Sequence, residues 1–168
     1  MAEAKKLRVY CETSFWSYLT GRLTKDEKVA RDQALTLKWW DEIAPFCEIY
    51  ISQHVREESA DGGPQFAARR LSAMQGSSSL DGYVNEIREL SRALLVAHAV
   101  PQTEPTDAMH IATAAFYRMD VLLTWNCKHM ANPIALPKTI STILKAGYEC
   151  PIIITPADFL MRKEELGL

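Results

Sequence analysis

The chain has 168 residues, of which 48% are hydrophobic and 24% charged, and its formal net charge is −2. This length and ordinary globular composition exclude disorder for the bulk of the chain and predict a single domain over residues 1–168. The small negative charge excludes a strongly basic nucleic-acid binder, so any contact with nucleic acid needs a local patch or bound cations.

Membrane and export signals are missing from the sequence. No apolar run approaches the ~18 residues of a membrane span, and residues near the N-terminus lack the apolar core of a signal peptide. We therefore expect a soluble, cytoplasmic protein with no membrane contact. The four cysteines form no CxxC motif and are expected to be reduced thiols that pack as small hydrophobic side chains. They are Cys11, Cys47, Cys127 and Cys150.

The predicted elements begin with a strand over residues 7–11, which is apolar enough to lie inside a sheet. Thr13 and Ser14 offer side-chain oxygens that predict the N-cap of a helix ending at Gly21. Capping residues also predict two further helix starts, Thr24 with Glu27 and then Ser52.

Apolar periodicity and turn residues place the later elements. Glycine and serine predict a loop over residues 76–79. An alanine-rich helix over residues 107–119 precedes a continuous apolar strand over 121–125, which suits a buried parallel position. Other predicted elements are strands 49–51 and 152–154 and helices 53–60, 66–74, 83–95 and 139–145, with a terminal helix from 155. This alternation predicts a three-layer α/β/α sandwich with a mainly parallel central sheet.

Acidic and amide side chains follow the predicted strand ends, where open parallel sheets bind their ligands. Glu12 follows the first strand, and Asn126 follows the apolar strand over residues 121–125. Asp107 begins the alanine-rich helix. Each residue alone also fits a helix cap, a first-turn acid or a turn. Glu57 and Glu58 are adjacent on a helix and point ~100° apart, so at most one faces a site. GxGxxG, P-loop, HExxH and GxSxG motifs are absent, which leaves carboxylate chemistry.

Four segments, taken in order, resemble the motifs of the PIN-domain family, especially the VapC-type toxins of bacterial toxin–antitoxin pairs. The segments are residues 9–14 (VYCETS), 51–58 (ISQHVREE), 106–112 (TDAMHIA) and 123–129 (LTWNCKH). In the second segment the family pattern selects Glu58, because Ser59 follows it. The chain departs from the pattern with Glu12 and Asn126, where many relatives have Asp.

The resemblance implies a metal-dependent endoribonuclease that hydrolyses RNA phosphodiester bonds, with Mg²⁺ or Mn²⁺ as the cofactor. Glu12 and Asp107 would bind metal directly, and Glu58 directly or through water. Asn126 would position the hydration shell of the nucleophile or help a second metal. The low-ranked candidates for substrate contact are Thr13, Ser14, His110 and Lys128, of which Thr13 or Ser14 could instead orient Glu12.

Electrostatics agrees with a cation at this site. Carboxylates ~5 Å apart repel by ~3 kcal/mol per pair at an effective dielectric of ~20, so three of them need a divalent cation or must take up protons. Oxygen ligands favour Mg²⁺ or Mn²⁺ over zinc.

The resemblance also implies a small antitoxin as partner and a homodimer, for which the apolar segments 15–19 and 39–43 offer an interface. Two alternatives stay open. One is a PIN scaffold with weakened metal affinity that binds RNA or protein without cleaving. The other is a nuclease that acts on DNA or on structured RNA during processing.

Overall fold

A computed structural model describes residues 5–82 and 84–168. Within them, five strands alternate with helices along the chain. The strands are β1 Leu7–Cys11, β2 Cys47–Ser52, β3 Ser78–Leu80, β4 Val121–Leu123 and β5 Ile152–Ile154. The helices are α1 Thr13–Thr20, α2 Glu27–Glu42, α3 Gln53–Ala60, α4 Pro64–Ala73, α5 Asn85–Val96, α6 Pro105–Phe116, α7 Leu136–Lys145 and α8 Pro156–Met161, with a 3-10 turn at Ala44–Phe46.

The strands form one sheet in the order β3-β2-β1-β4-β5, and all neighbours are parallel. Val9 of the central strand β1 pairs with Ile49 on one side and Val121 on the other. Val9 and Val121 are fully buried, as expected for strands covered by helices on both faces. The predicted α/β/α sandwich is therefore confirmed.

An aromatic cluster packs between the sheet and helices α1, α2 and α8. Phe15 meets Trp16 and Trp39 edge to face at centroid distances of 5.3 and 5.4 Å, and Trp39 meets Phe159 at 5.5 Å. Edge-to-face pairs each add about 0.5–1.5 kcal/mol beyond the burial of their area. Phe15, Trp16 and Trp39 are fully buried in the core, whereas Tyr18, Leu19 and Trp40 of the same segments are half-buried.

Two helices begin at caps that differ from the predicted ones. Glu12, not Thr13 or Ser14, is the N-cap of α1. Its side chain accepts a hydrogen bond from the backbone N–H of Ser14, two residues further along the chain. Asp26, and not Thr24, caps α2 through the N–H of Val29. Ser52 caps α3 as predicted. Among the described residues, no helix has both the length and the apolar run needed to cross a membrane.

Several other features of the structure differ from the predictions made from the sequence. Residues 78–80 form the edge strand β3 instead of part of a loop, because the backbone of β2 provides hydrogen-bonding partners that the serine-rich sequence does not reveal. Helix α6 begins at Pro105, so Asp107 lies in its first turn and does not begin it. All four cysteines are free, but Cys127 is exposed and does not pack as a hydrophobic side chain. Tyr83, where the helix now seen as α5 was predicted to begin, lies outside the described residues.

Candidate active site at the carboxyl edge of the sheet

The parallel sheet brings distant polar residues to a single edge. Glu12 directly follows β1, and Asn126 lies three residues beyond β4. The backbone N–H of Glu12 donates to the carbonyl of Leu123 at 3.1 Å, so the two strands end side by side. Helix α6 begins at the same edge, because the Asn126 amide donates to Asp107 Oδ2 at 2.9 Å. The candidate site therefore combines the ends of β1 and β4 with the start of α6.

Glu12 is nearly buried, with 6% of its surface exposed. Its Oε2 accepts hydrogen bonds from the backbone N–H and the hydroxyl of Ser14 and from the hydroxyl of Thr124 at 2.8 Å. Ser14 Oγ also accepts the backbone N–H of Trp125 at 2.8 Å. Of the two roles expected for Ser14, the structure favours orienting Glu12. Sequence reasoning assigned no role to Thr124, whose signal is its place between a buried strand and Asn126.

Glu58 faces the same edge from helix α3. Its Oε1 accepts from the Thr13 hydroxyl at 2.7 Å and from His110 Nε2 at 2.6 Å. Glu57, in contrast, is exposed and accepts from Gln53 on its own helix. The choice of Glu58 over its neighbour therefore agrees with the direction in which each side chain points. Thr13 holds Glu58 in place.

His110 is fully buried, so it cannot touch a substrate as the sequence suggested. Its Nδ1 lies 2.7 Å from the Tyr10 hydroxyl, which lies 2.8 Å from Ser52 Oγ. With Glu58 at Nε2, these contacts form a continuous hydrogen-bonded chain from strand β2 to helix α3. His110 instead positions Glu58, because it hydrogen-bonds to the Glu58 carboxylate from the buried side of the site.

The charges at this edge change the proton affinity of His110. Burial lowers the pKa of His110, but the hydrogen bond to Glu58 and the charges of three carboxylates outweigh it, so the pKa is raised. Those carboxylates are Glu12, Glu58 and Asp107. Burial raises the pKa of Glu58, but the hydrogen bond and charge of His110 and the Thr13 hydroxyl leave it lowered. The three predicted acids thus converge electrostatically on one buried imidazole.

Asp107 is held by the loop that follows β4. Its Oδ2 accepts from Asn126 Nδ2 and from His129 Nδ1 at 3.0 Å, and both Asp107 and His129 side chains are 15% exposed. Asn126 Oδ1 in turn accepts the backbone N–H of His129 at 3.0 Å. Asn126 therefore fixes the orientation of Asp107. His129 was missed as a site residue, although it follows Asn126 by three residues within a quoted motif. Lys128 is exposed on the same loop.

The three potential metal ligands that lie closest together are not the three that were predicted to bind metal. Within residues 5–82 and 84–168, the acidic and histidine side chains whose ligand atoms all lie within 4.8 Å of one another are Glu104, Asp107 and His129. Glu12 and Glu58 stand outside this group, because hydroxyl groups and His110 satisfy them separately. Asp107 belongs to both the predicted and the observed set.

The three predicted carboxylates are not gathered within 4.8 Å of one another, but each keeps an oxygen free of hydrogen bonds. Their hydrogen bonds use Glu12 Oε2, Glu58 Oε1 and Asp107 Oδ2. In the part of the chain that the structure describes, none uses the second oxygen of these groups. Each acid therefore keeps one oxygen that a hard cation can take.

Comparisons with protein-family models, curated proteins and solved structures find no match to this chain. The carboxyl edge and the sequence motifs that form it are therefore the features that indicate a function.

Proposed function

We propose that this chain is a PIN-type, metal-dependent endoribonuclease that hydrolyses phosphodiester bonds in RNA, as the toxin of a toxin–antitoxin pair. The observation that carries the proposal is the position of Glu12, Glu58 and Asp107 at the carboxyl edge of a parallel sheet, where Thr124, Thr13 and Asn126 hold them by hydrogen bonds. This edge is where open α/β sheets bind ligands. The resemblance to PIN motifs supports the same reaction.

The cofactor proposed is Mg²⁺ or Mn²⁺. Asp107 would hold it together with Glu104 and His129, whose ligand atoms lie within 4.8 Å of one another, and the predicted ligands Glu12 and Glu58 would contribute through bound water. Oxygen donors favour Mg²⁺ and Mn²⁺, whereas an added imidazole is tolerated better by Mn²⁺ than by Mg²⁺. Such a cation would act as a Lewis acid toward phosphate oxygens and would lower the pKa of the attacking water.

The chain's own residues set the positions of these acids. The Ser14 and Thr124 hydroxyls both donate to Glu12 Oε2 and lie 3.3 Å from each other at the strand ends. Asn126 holds Asp107, so its carboxamide acts as an orienting group in place of a fourth acid. Proximity and orientation of this kind lower the barrier of a hydrolysis whose nucleophile is water.

The partners in this proposal are RNA, a small antitoxin protein and a second copy of the chain, in the cytoplasm. The antitoxin would cover the acidic edge. The homodimer could use the half-buried side chains of segments 15–19 and 39–43, such as Tyr18, Leu19 and Trp40.

One observation favours a second candidate, a scaffold that binds RNA or protein without cleaving. His110 and His129 each lie within 3.0 Å of an acid, and such pairs reduce the repulsion among carboxylates without a metal. Titration with Mn²⁺ or Mg²⁺ distinguishes the two, because a binding scaffold shows no specific cation site at this edge.

The test is cleavage of labelled single-stranded RNA by the purified chain, free of any antitoxin, with Mn²⁺ or Mg²⁺ and with EDTA. We expect metal-dependent cleavage that Asp107→Asn and Glu58→Gln abolish. Glu57→Gln is the matched control, because Glu57 is adjacent to Glu58 but faces away from the site, and it should cleave like the natural chain. Failure of the folded protein to cleave RNA or DNA at any metal concentration would overturn the proposal.

A further inference from the structure

A cavity of about 430 Å³ opens beside Trp125, the residue that precedes Asn126. Its wall combines two aromatic rings from α1 and the loop after β4 with charged side chains from α2 and α8. The residues that matter here are Tyr18, Trp125, Lys28, Arg31, Asp32 and Asp158. The site proposed above uses none of them.

Tyr18 and Trp125 form a fixed aromatic platform in this cavity. Their ring centroids lie 5.4 Å apart with planes 27° from parallel, and both residues are half-buried. The Trp125 indole N–H donates to Thr36 Oγ1 at 2.8 Å, and its backbone N–H donates to Ser14. A ring held in this way loses little freedom when a flat ligand stacks on it.

Lys28 and Arg31 lie one turn apart on the same face of α2, with side chains 74% and 68% exposed. Both pair with the carboxylate of Asp32, at 3.2 and 3.3 Å, and that side chain is only 3% exposed. The buried acid therefore keeps two cations beside the cavity. Asp158, on the opposite wall, is exposed and accepts from Thr155, so the four charges sum to zero.

This combination fits a nucleotide better than a free anion. A neutral cavity attracts isolated phosphate weakly, whereas an aromatic platform stacks any nucleobase on its π-face. The exposed ammonium and guanidinium groups suit the phosphate attached to that base. Asp158 can accept a hydrogen bond from an N–H group of the base, such as the N3–H of uracil.

We infer that the cavity is a subsite for one nucleotide of single-stranded RNA, with the base stacked on the outer face of the Tyr18–Trp125 pair and its phosphate beside Lys28 and Arg31. The inference rests on the proposed nuclease function, because Trp125 is joined directly to Asn126 and so links the subsite to the acids. A strand bound here continues toward Asp107.

The test measures the affinity of the full chain for fluorescein-labelled oligouridine in EDTA, where cleavage does not occur. Tyr18→Leu, which removes the ring, weakens binding about tenfold, as the loss of one base–aromatic stack does. Tyr18→Phe keeps the ring and the affinity. Lys28→Gln weakens binding and lowers the salt slope by about 0.7, as the loss of one contact with a single-strand phosphate does. Lys25→Gln, also exposed but outside the cavity, changes neither.

A second measurement separates base stacking from phosphate binding and does not depend on the Tyr18 variants. Uridine monophosphate quenches tryptophan emission in the natural chain but not in Trp125→Phe, and ribose 5-phosphate does not quench. Quenching by ribose 5-phosphate, or unchanged RNA affinity in Tyr18→Leu, overturns the subsite.

The two proposals fail separately. RNA cleavage with equal affinity for the natural chain and Tyr18→Leu keeps the nuclease and removes the subsite. Absence of cleavage together with the difference between Tyr18→Leu and Tyr18→Phe keeps the subsite and removes the nuclease.

Discussion

The hydroxyl of Thr124 donates to Glu12 Oε2 at 2.8 Å, although 112 residues separate the two in sequence. Thr124 is fully buried, and its Oγ1 also accepts the backbone N–H of Asn126 at 3.0 Å. This single side chain therefore connects the acid after β1 with the loop that orients Asp107.

We expect Thr124→Val to destabilise the chain by about 1–3 kcal/mol, because the isosteric change removes one hydrogen bond to the buried Glu12 carboxylate and leaves the backbone N–H of Asn126 without its acceptor. Urea unfolding followed by circular dichroism measures this loss. Thr142→Val is the control, since the Thr142 hydroxyl bonds within its own helix near the surface, and it should change stability by less than about 0.5 kcal/mol. Equal effects of the two substitutions would contradict the linking role of Thr124.

Stability should depend on pH through the His110–Glu58 pair. Folding raises the pKa of His110 above its ordinary 6.5, so the stabilisation from this group is complete below that pH and declines as pH rises through the raised value. Folding lowers the pKa of Glu58 below its ordinary 4.5, so its stabilisation is lost as pH falls through the lowered value. The contribution of the pair is therefore largest between pH 4.5 and 6.5.

His110→Asn tests this dependence, because it removes the titrating ring. The difference in unfolding free energy between the natural chain and His110→Asn should shrink as pH rises above 6.5. His98→Asn makes the same change at an exposed residue with a φ of 53°, a conformation that asparagine tolerates, and should show no such trend. A difference that stays constant from pH 5 to 8 would remove the ionic role of His110.

Glu12→Asp restores the acid that is common in the resembling family, yet we expect it to weaken Mn²⁺ binding and RNA cleavage by at least about tenfold. The shorter side chain cannot reach both Ser14 and Thr124 from the same backbone position, so the carboxylate loses its fixed orientation. Calorimetric titration with Mn²⁺ measures the affinity, with Glu42→Asp at the exposed end of α2 as the control. Stronger binding in Glu12→Asp would show that the position tolerates either length.

Asn126→Asp should make stability depend on metal. The new carboxylate would face Asp107 Oδ2 at hydrogen-bond distance, where two like charges ~4 Å apart repel by about 4 kcal/mol at an effective dielectric of 20. We expect a lower Tm in EDTA and recovery with Mn²⁺, measured by thermal unfolding. Asn85→Asp, at the exposed start of α5, should show neither change. A Tm that is low with and without Mn²⁺ would mean that the loop itself is damaged.

The sequence predicted the parts of the fold that depend on local patterns. β1 and β5 have the predicted bounds, and Ser52 caps α3 as expected, because apolar runs and capping oxygens are local signals. β3 escaped prediction because its pairing with β2 comes from backbone groups and not from its serines.

The candidate site shows the same division. Glu12, Glu58, Asp107 and Asn126 could be selected from their positions in motifs, and the structure brings them to one edge. Their immediate partners could not be selected in this way. Thr124 and Tyr10 act through contacts across about a hundred residues, and no periodicity records such contacts.

The central place of β1 has a consequence for the order in which the chain is made. Glu12 and Glu58 come from the part of the chain that builds β3-β2-β1, whereas Asp107 and Asn126 come from the part that adds β4 and β5. A ribosome must therefore reach residue 107 before the three acids can meet, and residue 126 before Asn126 can hold Asp107. During synthesis, an incomplete chain carries separate carboxylates and no assembled site.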